Sequence, residues 1–156
     1  TIINGKNTSA GASDAGKTPI LDASGRLDVT MMPSGIGADT ASIVASEALT
    51  AGDLVNVWNN GGTANVRKAD ASTTGKEAHG FVIAAVALSA SATVYFESTN
   101  TQVTALTPGV QYLSASTPGK CTATAPTGTG QVVQRVGFAT SATALNFQHS
   151  QPIVLA

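Results

Sequence analysis

The sequence predicts an all-β fold: a compact β-barrel or sandwich over residues 42–156, preceded by an extended N-terminal arm over residues 1–41. Three observations predict it. Every Phe, Tyr and Trp lies beyond residue 41. From Ser42 onward, runs rich in Val, Ile, Tyr and Phe alternate with clusters of Gly, Pro, Asn and Ser, the pattern of short strands and turns. Turn and strand signals also recur at one constant offset, which suits a body built from two similar halves.

The arm is rich in Gly, Ala, Ser, Thr and Asp, and Gly5, Gly11, Gly16, Gly25, Gly35 and Gly37 interrupt any helical period within a turn or two. With so little bulky apolar surface to offset its ordering entropy, it is expected to stay flexible until a partner orders it. Small apolar clusters punctuate it, at Ile2-Ile3, Ile20-Leu21, Leu27 to Val29 and Met31-Met32. Each is too small for a core, but the right size to fill a shallow groove on a neighbour. Asp22-Ala23-Ser24-Gly25 has turn chemistry, and Met32-Pro33 is an extended step.

In the body, strands are expected near 43–49, 53–58, 64–69, 79–88, 92–97, 110–115, 119–124, 131–140, 143–148 and 152–155, with almost no helix. Asn59-Asn60-Gly61-Gly62 separates the second and third as a hairpin turn, with Trp58 expected to pack beneath it. Leu49-Thr50-Ala51-Gly52 returns as Leu106-Thr107-Pro108-Gly109 and Gly80-Phe81 as Gly137-Phe138, both 57 residues later. Gly62 and Gly119, and Leu88 and Leu145, share that offset, so residues 43–99 and 100–156 form equal halves. In each half the Gly of the Gly-Phe pair is expected to allow close backbone approach and the Phe to enter the core.

Composition restricts the function. Hydrophobic residues are 42% of the chain but aromatics only 4%, which suits close-packed β layers better than a roomy ligand cavity. Charged residues are 11% and the net charge is −1, so no long-range attraction to nucleic acid or anionic lipid is expected. Cys121 is the single cysteine and forms no intramolecular disulfide; its strand context suits a small buried filler. No secretory leader is expected from the opening residues, the longest apolar stretch, Phe81 to Leu88, is too short to span a bilayer as a helix, and synthesis in a cytoplasm is expected.

Chemistry-bearing motifs are few. Gly11-Ala12-Ser13-Asp14-Ala15-Gly16-Lys17-Thr18 fits the phosphate-cradling pattern G-x-x-x-x-G-K-[ST], yet lacks the apolar strand before it and the helix after it that aim backbone N–H groups at phosphate. Asp22, Ser24, Gly25 and Asp28 lack the dense oxygen spacing of a calcium loop. His79 and His149 have no ligand-spaced partners, and nothing pairs Glu47, Glu77 and Glu97 as hydrolytic carboxylates. No catalytic, cofactor or metal residue is assigned, and the chain is expected not to be an enzyme.

The run from Gly16 to Asp28, Gly-Lys-Thr-Pro-Ile-Leu-Asp-Ala-Ser-Gly-Arg-Leu-Asp, followed by Met31-Met32-Pro33-Ser34-Gly35-Ile36-Gly37, resembles a linker of tailed-bacteriophage head and fibre proteins. Leu49 to Asp53, Ala78 to Val82, Leu106 to Ser114 and Val136 to Ala139 resemble a β-domain of capsid decoration and head-fibre proteins. The resemblance implies a non-enzymatic virion protein that binds the outside of a capsid and stabilises it. Its implied partners are the major capsid protein and further copies of itself, commonly as a homotrimer, with neither nucleic acid nor membrane. It would be made in the host cytoplasm and reside on the capsid surface. Ile2, Ile3, Ile20, Leu21, Leu27, Met31 and Met32 are the expected anchoring residues. A tail-fibre or receptor-binding module attaching to host glycan or protein is the alternative.

Overall fold

The computed structural model describes residues 5–32 and 38–156, and the chain divides into two compact units, residues 1–37 and 38–156. In the first, β1 (Gly5–Lys6) pairs in parallel with β2 (Thr18–Pro19), and short 3-10 turns cover Gly11–Asp14 and Val29–Met31. The arm therefore carries more local order than its composition predicts, because carboxylates and hydroxyls replace a core. Asp14 accepts from the Ala10 amide and Lys17 Nζ, and Asp22 Oδ1 accepts from the amides of Ser24 and Arg26. Asp28 takes both donors of Thr30, whose Oγ1 accepts from the Ser9 amide across 21 residues.

The second unit is all-β. Strands β3 (Thr40–Ala45), β4 (Leu54–Asn60), β5 (Thr63–Lys68), β6 (Gly80–Phe81) and β7 (Ser91–Tyr95) close a barrel in the order β3-β5-β4-β6-β7. The ring is sealed by parallel pairing of β3 with β5, Val44 opposite Asn65 and Ala45 opposite Val66. Between β4 and β5, Gly61 and Gly62 both have positive φ, 62° and 91°, as a tight two-residue hairpin demands. Inside, Ala45, Leu49, Val55, Val66, Val82, Ala92 and Val94 form a core of small and branched side chains.

The rest of the unit contributes β8 (Ser98–Asn100), β9 (Gly109–Leu113), β10 (Cys121–Thr122), β11 (Val132–Val133), β12 (Arg135–Ser141), β13 (Ala144–Phe147) and β14 (Ile153–Val154). Five of them form an open sheet, β10-β9-β12-β13-β8, while β11 pairs with β14. At the 57-residue offset, β3, β4, β5 and β6 overlap β8, β9, β10 and β12 in turn, and β7 and β13 each close their half's sheet against β6 and β12. The strand order is thus the same in both halves. The difference is that β8 and β10, the counterparts of the sealing pair, stand at opposite edges of the sheet.

A second core joins the halves. Leu54 and Phe81 from the barrel meet Leu113, Val136, Leu145 and Phe147 from the open sheet, with Phe81 against Tyr95 and Phe147 at centroid distances of 5.4 and 5.6 Å. Leu54 and Val55 thereby serve different cores from adjacent positions, as strand alternation requires.

Two expectations are corrected. The stretch 79–88 is not one strand: it pairs only at Gly80–Phe81, then bends, with a single bridge from Val86 to Leu49. Val82 donates to the Asp53 carbonyl and accepts from Gly52, so turn contacts take the place of a ladder there. The two Phe residues of the repeated Gly-Phe pair also face opposite ways. Phe81 is fully buried, whereas Phe138 is 42% exposed on the outer face of the open sheet, opposite Val110. The glycines keep the close-approach role: a Cβ on Gly80 would meet the Tyr95 carbonyl oxygen, and one on Gly137 the Asn146 carbonyl.

Candidate functional site

Of the expected anchoring residues, Ile2 and Ile3 lie outside the described residues. Ile20 and Leu21 follow β2 and are 46% and 59% exposed; Leu27 and Met32 are also exposed, and Met31 is half-buried. The Ile20 amide donates to the Lys6 carbonyl at 2.8 Å, so the small parallel sheet presents this aliphatic pair on an ordered edge. Isolated exposed aliphatics are ordinary, but four of them on a unit held by turn hydrogen bonds have little of their own chain to pack against.

The phosphate-loop match is dissolved by its own residues. Gly11–Asp14 forms a 3-10 turn, and Lys17 is bound to Asp14 at 2.8 Å, with Lys6 at 3.6 Å. The hydrogen bond from Lys17, aided by the Ala10 amide, lowers the Asp14 carboxyl to about 2. The lysine that would reach phosphate thus has an internal anion. Asp22 and Gly25 form a turn as expected, the Gly25 amide meeting the Asp22 carbonyl at 2.9 Å.

On the body, a recess of 250 Å³ lies at the edge of the open sheet. Gln102, Val103 and Thr104, just past β8, form one side, and Lys120 and Cys121, entering β10, form the other; Leu54 and Leu106 contribute apolar lining. Beside it, Lys120 Nζ lies 2.6 Å from Asp53 Oδ1, the carboxylate fully buried and the lysine side chain 45% exposed. The amide and hydroxyl of Thr50 satisfy Asp53 as well, both at 2.8 Å. Sequence reading missed this junction because its partners are 67 residues apart; the repeated Leu-Thr-x-Gly turn located Asp53 without indicating its partner. Asn100 adds a second link, donating to the Gly52 carbonyl, and Gln134 a third, its amide bridging the N–H and C=O of Ala78.

Cys121 is half-buried at the wall of this recess. Burial pushes its thiol up to about 11, so near neutral pH it is a protonated filler and a poor nucleophile. The two histidines, distant in sequence, come together with ring centroids 6.5 Å apart. His79 Nδ1 accepts from the Val57 amide at 3.0 Å, which places the neutral ring's proton on Nε2. Burial lowers the His79 value, and the neighbouring His149 adds to that, against a smaller opposite effect of Glu77. Among the described residues no cluster of three metal-ligating side chains occurs.

Two of the three glutamates have structural employment. Glu47 accepts from the Lys68 amide, and Glu77 from Gly75 N and Thr74 Oγ1. Burial pushes the Glu77 carboxyl up, but those hydrogen bonds outweigh it and leave the group below its ordinary value. Trp58 is half-buried on the barrel, its Nε1 donating to Ser46 Oγ and its ring beneath the Arg67 guanidinium at 4.6 Å. Comparisons with protein-family models, with curated proteins and with solved structures give no match.

Proposed function

We propose that this chain is a non-enzymatic virion protein that binds the outside of a phage capsid and stabilises it, a decoration protein held partly by its N-terminal unit. One observation carries the reading. An ordered, polar first unit presents exposed Ile20, Leu21, Leu27 and Met32, and it is joined to a low-charge β-body in which Glu47, Asp53, Glu77 and His79 are held by internal hydrogen bonds. Burying each aliphatic anchor in a groove would contribute about 1–2 kcal/mol before ordering costs. Several arms linked through an oligomer, with a trimer as the expected state, would convert such contacts into tight attachment by effective concentration. The resemblance of the arm and body segments to phage head proteins supports the same reading, with the major capsid protein as partner.

The test is binding to purified capsid shells lacking this protein. The full chain should bind and raise the shells' resistance to heat, and the body alone, residues 38–156, should fold but not bind. Undiminished binding by the body would overturn arm anchoring. Binding to host cells or glycan with none to shells would favour a fibre module instead, a reading to which the Trp58 and Arg67 pair on the barrel surface lends an aromatic contact.

A further inference from the structure

The open edge of the second sheet is only partly filled: Gly52 and Leu54 reach into it, bonded to Asn100 and Gly119, and a recess remains where the first half of the same body closes its ring. In the barrel, β3 and β5 seal the ring through Ala45 and Val66, both fully buried. Their counterparts at the 57-residue offset are Gln102 and Ala123, both exposed, and β8 and β10 do not pair. The 250 Å³ recess lies between the residues following β8 and those entering β10, where the sealing pair would run. That volume is below the roughly 300–1,000 Å³ of pockets for drug-sized ligands, and suits one or two aliphatic side chains. Its apolar lining of Leu54, Val103 and Leu106 has polar Gln102, Thr104 and Lys120 beside it.

We propose that the seam takes the extended segment Pro19–Asp22 from the arm of a second copy, laid along the edge strand with Ile20 or Leu21 in the recess and Asp22 towards Lys120. Three features of the chain select this occupant. Thr18–Pro19 is already extended, and Ile20 and Leu21 are exposed immediately after it. An edge strand accepts an added strand through backbone hydrogen bonds while a pocket takes alternate side chains; with the Ile20 amide held by Lys6 and the Asp22 amide by Arg26, the Leu21 amide is the donor left to pair with the edge. The acidic residue following the aliphatic pair complements Lys120, which keeps donors free beyond its bond to Asp53. The inference deepens the anchoring reading by giving one pair of anchors to a neighbouring copy and leaving Leu27 and Met32 for the shell. It requires no capsid.

Cys121, the single thiol, lines the recess and reports its occupancy. Labelling of the full chain with a small maleimide at mildly alkaline pH should be about tenfold slower than labelling of an Ile20→Asp/Leu21→Asp chain, as expected when reaction needs the bound segment to leave. Adding excess Cys121→Ser chain, which supplies an arm but no thiol, should slow labelling of the Ile20→Asp/Leu21→Asp chain again. Trp58 fluorescence of each variant checks that the body is folded. Equal labelling of wild type and the arm variant would overturn the proposal. So would a Cys121→Ser chain that gives no protection, since the occupant would then belong to the same chain. Failure of shell binding with thiol protection intact would count against the capsid reading alone.

Discussion

Asp53→Ala should be among the most damaging single substitutions in the body. The carboxylate is fully buried and receives the Thr50 amide and hydroxyl at 2.8 Å each and Lys120 Nζ at 2.6 Å. Hydrogen bonds to a charged group are each worth about 1.5–3 kcal/mol, so the two Thr50 donors account for about 3–6 kcal/mol. The Lys120 pair adds little more, about 0–1 kcal/mol, because the ammonium is half in water and screened. A loss of about 3–7 kcal/mol is therefore expected, a large share of the 5–15 kcal/mol typical of a domain. Urea unfolding at neutral pH, followed by the fluorescence of the single Trp58, measures it. Asp53→Asn, which keeps one acceptor oxygen for Thr50, should lose about half as much, and the coupling in a double-mutant cycle with Lys120→Met should be about 1 kcal/mol or less. An Asp53→Ala loss below about 1 kcal/mol would refute the reasoning, because it would mean that the Thr50 donors find water instead.

Three further outcomes follow from the geometry. His79 is held neutral, with its value lowered chiefly by burial, so the unfolded chain binds its proton more readily; stability present above the ordinary imidazole value near 6.5 should be lost as pH falls below it through the lowered folded value, and His79→Gln should flatten that dependence in urea midpoints taken across the window. Gly137→Ala places a Cβ against the Asn146 carbonyl at a φ of 138° and should cost more than about 3 kcal/mol, whereas Gly109→Ala, with φ 120° and open space, should cost only the backbone strain of about 1–3 kcal/mol; equal losses would show that strain alone decides. Phe81→Ala should cost about 3–5 kcal/mol and the offset-related Phe138→Ala less than about 1 kcal/mol, both read by thermal unfolding, and a reversed order would contradict the assigned faces.

The all-β class was legible because short runs rich in Val, Ile, Tyr and Phe and the Gly-rich turns between them are local signals, and the hairpin at Gly61-Gly62 falls where its composition put it. Four of the five barrel strands have a counterpart strand at the offset that the sequence displays, and β7 is the one that does not. What escaped reading depends on pairing across distance. Phe138 follows the same Gly as Phe81, yet a register change between Arg135 and Gly137 helps set its face, and no local residue announces that change. The Asp53–Lys120 junction and the meeting of His79 with His149 likewise exist only once the two halves dock. In the arm, the clusters were visible as apolar letters, but the turns that present them rest on Asp14, Asp22 and Asp28 bonding backbone amides, an effect that composition alone underrates.

The open seam has a cause in the sequence. Sealing β3 to β5 buries Ala45 and Val66 beneath the parallel pair, and the hydrophobic gain of Val66 helps offset the entropy of holding two distant segments together. At the offset, Gln102 and Ala123 offer a polar side chain and a methyl group, and the counterpart segment runs into Pro126, which has no N–H to give a ladder. Closure there would bury a glutamine without an assured partner and gain almost no apolar area, so the edge stays open. The body therefore keeps one sealed ring that carries its own core and one five-stranded sheet left unsealed between β8 and β10. The recess at that unsealed edge has Val103, Leu106 and Leu54 in its lining, apolar surface that an inserted aliphatic side chain would cover. If restoring the sealing residues as Gln102→Ala/Ala123→Val raised the body's stability while abolishing the arm-dependent protection of Cys121, closing the seam on itself and receiving another chain would be shown to compete for the same edge.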